Sequence, residues 1–296
     1  MRSLVFVWLS LFCSASAFSQ LHLPKWATDD NSSDADLIRG ITTTDDPGAA
    51  QAAYRILFKK VGADGVQALL THQSDMIALR AAWEQVNLTV PDKESPSTIR
   101  PDRHGLDWFI GFLEGRVRVK PPHWWVDAMV ESKANHRDNI YPEMAETRKY
   151  HESGLDTVKA PLNTTLEAHD GKLLLRIAGE SVLIPVELLH KSDDGRFDDD
   201  CVSAILSRTR CYVAVHDDVG YPYRLACIDR SSGGVRWKAD VWGSWIGGFG
   251  GQGRSWVAVT EQDDRIVVFG VASTGFHVEG FRADDGKNLF RVSNSF

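Results

Sequence analysis

The sequence predicts an α+β fold, with an N-terminal helical region followed by antiparallel sheets made from a repeated β unit. Three observations carry this. Apolar residues recur at helical spacing between Ala50 and Val86. From about residue 164 the pattern changes to short strand-like runs separated by turn residues. Two strand–turn–strand segments, 226–237 and 281–290, align with each other, and their turn glycines Gly233 and Gly286 stand 53 residues apart.

The chain opens on an export signal. Arg2 supplies a positive n-region, residues 4–12 an apolar h-region, and Ser14-Ala15-Ser16-Ala17 a cleavage site after Ala17. The apolar run is too short to span a bilayer, so residues 1–17 read as a signal peptide of a secreted or periplasmic protein with no membrane span. Cys13 does not suggest lipid attachment, because bulky Phe12 precedes it. The 296 residues are 43% hydrophobic and 10% aromatic, enough for a sizeable core. A formal net charge of -7 offers no broad basic field for nucleic acid. Beyond the signal, Cys201, Cys211 and Cys227 match no zinc spacing. Cys201 and Cys211 could pair, but buried single thiols are the simpler expectation.

Residues 18–36, rich in Asp, Asn and Ser, read as a flexible lead-in. A helical region follows over 37–160. Asp46 is placed to cap a helix with Pro47 at its first position, and Gly62 to end it. Asp64 begins a second helix through Val66 and Leu70. Ser74 or Asp75 caps a third, with Ile77, Ala78, Ala81, Ala82 and Val86 on one face. These short helices look like a single HEAT-like unit, which cannot bury its own face and must pack on something else. Residues 91–103 read as a loop, 105–115 as a helix apolar nearly all round and therefore buried, and 116–120 as a half-buried strand. Pro121-Pro122 then breaks the chain before a His123-Trp124-Trp125 element, and 131–160 is polar. Over 161–296 a hairpin about Asp170-Gly171 is followed by runs at 182–184, 202–206, 211–215, 224–228, 235–238, 256–260, 265–271, 276–282 and 288–292.

In the first repeat unit Cys227, Asp229, Ser232, Gly233 and Trp237 are spaced as a strand, a tight turn and a strand ending on an aromatic. It resembles the repeat of PQQ-type quinoprotein propellers, in which a small residue, an aspartate, a Thr-Gly turn and a tryptophan recur. The second unit keeps Gly286 and ends on Phe290, but has Gly280 and Arg282 where the small residue and the aspartate stand. The resemblance covers about residues 200–296 and implies partial β-propeller-like antiparallel sheets of two to three blades. A closed propeller needs about four, so either the sheets form an open stack against the helical half or several chains complete a ring. No cofactor is predicted, PQQ included, because that quinone sits on the axis of a complete propeller. The order of helices, Trp-Trp element and blades is also similar to that of exported proteins of planctomycete-like bacteria, a likeness that implies no activity.

Candidate binding residues cluster around a glycine-rich loop. Residues 248–253 fit Gly-x-Gly-x-x-Gly, but a strand follows where a dinucleotide site needs a helix. Trp242, Trp245 and Trp256, with Arg254, flank this loop. Their rings would serve as a carbohydrate or peptide platform or pack between blades. His216 and Asp217 sit at a strand end. No catalytic triad motif, Walker loop or metal-ligand spacing occurs, so neither a catalytic residue nor a metal ligand is assigned. The expectation is an exported, non-enzymatic binding or scaffolding protein using a partial propeller surface. Its partner would be a protein or an extracellular polysaccharide, and homo-oligomers are compatible with it. The alternatives are a carbohydrate- or polymer-active enzyme and a protomer of an oligomeric propeller.

Overall fold

Asp46 and Pro47 begin the longest helix as their chemistry requires. The Asp46 carboxylate accepts from the N–H groups of Gly48 and Ala49 at 2.8 and 3.2 Å, and Pro47 has no N–H to satisfy. The computed structural model describes residues 23–88, 103–123, 125–126, 164–169, 172–177, 179–185, 188, 202–215, 223–241, 256–262, 264–272 and 275–295. Residues 1–17, expected from the sequence to be a signal peptide, and the polar stretch 131–160 lie outside the described residues.

Five helices are described: α1 (Lys25–Thr28), α2 (Asp34–Thr43), α3 (Pro47–Leu69), α4 (Asp75–Leu88) and α5 (Arg103–Val117). The expected flexible lead-in is corrected from residue 23 onward. Ala27 is fully buried and the Trp26 ring lies against Gly40, where a Cβ would strike it. Ser33 Oγ caps α2 by accepting from Asp36 N at 3.1 Å, and Lys60 reaches back to Asp34 at 3.4 Å. Gly62 breaks α3 at a φ of 64°, as its position predicts.

α5 is amphipathic rather than buried all round. Leu106, Phe109, Leu113 and Val117 face the core, while Trp108 is 42% exposed. Gly111 and Gly115 stay on the outer side. The glycines and Trp108 read as apolar in sequence but form the outer stripe. The expected strand at 116–120 is corrected too: α5 runs to Val117, and Arg118 at a φ of 58° turns the chain out of it. Val119 is buried between exposed Arg118 and Lys120, so the alternation is real without a strand.

Three antiparallel meanders follow in chain order. Sheet 1 is β1 (Thr164–His169), β2 (Lys172–Ile177) and β3 (Glu180–Ile184). Sheet 2 is β4 (Val202–Leu206), β5 (Arg210–Val215), β6 (Tyr223–Asp229) and β7 (Val235–Val241). Sheet 3 is β8 (Trp256–Gln262), β9 (Arg265–Ala272), β10 (Gly275–Arg282) and β11 (Asn288–Ser295). Period-two alternation gives each central strand two apolar faces. Cys211, Val213, Ala226 and Ile228 meet Leu175, Ile177, Val182 and Ile184 of sheet 1. On the other face Tyr212, Ala214, Leu225 and Cys227 meet Ile266, Val268 and Phe281 of sheet 3. Sheet 3 in turn presents Val267, Phe269, Val278, Phe290 and Val292 to Leu57, Ile77, Trp83 and Phe109 of the helices. Each large side chain sealed this way contributes about 1.5–3 kcal/mol.

The order is therefore sheet 1, sheet 2, sheet 3, helices. β8 lies against β4 and β5, and β1 against β4, so the first strands of the sheets converge. At the far side of sheet 3, α4 covers β11. Trp125 seals this joint, donating from Nε1 to Gly270 O at 3.0 Å and meeting the Phe269 ring edge-on at 5.2 Å. Cys211 and Cys227 are free thiols on opposite faces of sheet 2, so the Cys201–Cys211 pairing does not form. Burial pushes the Cys211 thiol up to about 12.

Candidate functional site

The repeat residues build a turn that locks one sheet to the next. Gly233, at a φ of 69°, lets the β6–β7 hairpin close: Gly233 N donates to Asp229 O, and Asp229 N to Gly234 O, both at 2.8 Å. The Asp229 carboxylate collects Ser231 N at 3.0 Å, Ser232 N at 3.1 Å, both serine hydroxyls, and Arg236 Nη2 at 2.6 Å. Trp237 stands across from Cys227, a residue small enough to leave room for the ring. Its Nε1 donates to Ala283 O of sheet 3 at 3.0 Å, and its ring lies on Gly286.

The β10–β11 hairpin repeats this plan, with Gly286 at a φ of 72° and the same pair of backbone hydrogen bonds at 2.9 Å. Both hairpins slip register at the equivalent place, Cys227/Ile228 and Gly280/Phe281. Charge is reversed in the second unit, where Arg282 pairs with Asp285 at 2.8 Å. Phe290 stands across from Gly280 and turns its ring toward the helices rather than toward a further sheet.

Hydrogen bonds from the Ser231 hydroxyl, then from Arg236, hold the Asp229 carboxyl well below the usual carboxylate range. A carboxyl depressed in the folded state contributes stability above its unfolded value of about 3.9 and loses it as pH falls through the folded value. Asp229→Asn should therefore be less stable than the wild type at pH 7, and the gap should narrow as pH is lowered below about 4. Urea titrations at pH 7, 5 and 3 check this. A gap independent of pH would assign the loss to turn geometry instead.

Of the candidate binding residues, Trp242, Trp245, Arg254, His216 and Asp217 lie outside the described residues. Trp256 opens β8 opposite Val271, and its side chain lies outside them as well. Among the described residues no group of three His, Cys, Asp or Glu is placed to hold a metal ion, and no helix is long and apolar enough to cross a membrane.

The structure brings forward a site of which the helical pattern gave no sign. A small cleft of about 20 Å³ opens between the end of α2, the first turns of α3, α4 and the edge strand β11. Its polar lining is Thr44, Gln51, Tyr54, Arg80, Arg291 and Ser293. Arg80 is 9% exposed, donates from Nη1 to Ser293 O at 2.7 Å, and lies 5.6 Å over the Tyr54 ring. The Tyr54 hydroxyl is committed to Met76 O at 3.0 Å. Arg291 donates from Nε to Glu279 at 2.8 Å, and Glu279 is fully buried. Burial lowers the Arg80 guanidinium and raises the Tyr54 phenol from their ordinary values. The sequence signal was an arginine at the centre of Ile77-Ala78-Leu79-Arg80-Ala81-Ala82, a charge inside an otherwise apolar stretch.

In comparisons with known proteins, no family model and no curated protein matches this chain.

Proposed function

We propose that the protein is an exported binding or scaffolding protein that presents the rims of a partial β-propeller, with Phe18 as its mature N-terminus. The observation that carries this reading is the stack itself: equivalent hairpins end sheets 2 and 3, the first strands converge, and the helices cap one end. That cap occupies the face on which a further blade would pack, which weighs against a ring completed by other copies. The PQQ-like character of the repeat remains part of this proposal, and the cofactor does not.

A polysaccharide is the favoured partner because one large aromatic ring is already outward. Trp108, 42% exposed on the outer side of α5, stacks at 5.6 Å on Phe112, which is half-buried against the helical core, and flat rings offer contact area at little cost in side-chain entropy. The test is a pull-down of the mature chain on insoluble polysaccharides, with light scattering on the same sample. A monomer retained by the polymer, and released about tenfold more readily as Trp108→Ala, is the expected result. Equal retention of the variant would remove Trp108 from the reading, and a ring of several copies would replace the open stack.

A further inference from the structure

The geometry points to the Arg80 cleft as a binding site for a small organic carboxylate. The cleft contains a charge that no described residue answers with a counter-charge. Arg80 is more than nine-tenths buried, and among the described residues its guanidinium finds an acceptor only for Nη1, the Ser293 carbonyl. Its Nε–H has none. Glu84, one turn along α4, acts on it only at a distance, and Arg55 opposes it. A buried guanidinium without a close counter-charge favours the arrival of an anion.

The residues around Arg80 define the anion. The second guanidinium, Arg291, is already paired with Glu279, and among the described residues no acidic side chain lines the cleft, which leaves Arg80 as its open positive charge. With Nη1 committed, the remaining Nε/Nη2 edge is the planar fork that matches a carboxylate. Bringing an oxygen onto Nε needs a small shift of the guanidinium, because that atom is closed off from water. Ile41, Pro47, Ala50 and Met76 supply the apolar part of the lining, which suits a carbon chain behind the carboxylate. The N-terminus of α3 is not the attraction, since Asp46 already takes the Gly48 and Ala49 N–H groups.

The experiment measures thermal unfolding of the mature chain in sodium propionate, in sodium phosphate and in sodium chloride matched for ionic strength. Propionate should give a saturable rise of about 5 °C or more that chloride and phosphate do not. Arg80→Gln should weaken propionate binding by at least about tenfold. Should that variant not fold, Ala50→Leu decides: it fills the cleft from its apolar wall without removing a charge and should abolish the shift. No saturable shift in the wild type, an equal shift in Ala50→Leu, or phosphate matching propionate would each overturn the assignment.

Discussion

Gly286→Ala is expected to destabilise the protein by about 3 kcal/mol, through two causes that a double-mutant cycle separates. The backbone there has a φ of 72°, which costs a residue with a Cβ about 1–2 kcal/mol. The new methyl would also enter the space of the Trp237 ring, and displacing a packed ring costs about as much again. Trp237→Ala alone should cost about 3 kcal/mol, since the ring and its hydrogen bond to Ala283 join sheet 2 to sheet 3. In the double variant the clash disappears while the backbone strain stays, so the loss should be about 4 kcal/mol rather than the sum. Urea unfolding followed by circular dichroism measures all three. Strict additivity would mean that Trp237 and Gly286 do not share one contact.

The second large effect belongs to Asp75. Its carboxylate sits at the start of α4 and receives Arg116 Nε of α5 at 2.6 Å and Arg265 Nη1 of β9 at 2.9 Å, with only 16% of the side chain exposed. One side chain thus ties two helices to sheet 3. Asp75→Ala leaves two partly buried guanidinium groups, Arg116 and Arg265, without their shared carboxylate and should cost about 2 kcal/mol. Arg116 retains its bonds to the His72 and Gln73 carbonyls, which keeps the loss from being larger. Lys25 is the control, because its pairing with Asp29 is 3.8 Å long and its own side chain is 90% exposed. Lys25→Ala should change stability by no more than about 0.5 kcal/mol. If Asp75→Ala proves as harmless as Lys25→Ala in the same denaturation series, the joint is held by apolar packing alone.

Much of the fold could be read in advance, because its determinants are local. The β5 run alternates Cys211 and Val213 to one side with Tyr212 and Ala214 to the other, and each side has a sheet to meet. Asp46, Pro47 and Gly62 act through their own backbone geometry. Errors arose where polarity and position diverge. Trp108 counts as apolar yet faces out, and Arg118 continues an alternating pattern while turning the chain. The cleft was harder still. A helical reading of α4 gathers Ile77, Ala78, Ala81, Ala82 and Val86 and passes over the arginine between them. Arg80 is buried because of Ser293, 213 residues away, and no periodicity reports a partner at that distance. The aromatic loop around Trp245, which the sequence favoured, lies outside the described residues.

That same separation has a consequence for synthesis. The helices are made before the sheet that covers them, and β11, the strand on which α4 rests, is the last described element of the chain. At about 5–20 residues per second, Ser293 follows Arg80 off the ribosome by roughly 10–40 s. For that interval Leu57, Ile77, Trp83 and Phe109 have no sheet to close over them. The half that emerges first is thus unable to complete its core until the last strands of sheet 3 follow it.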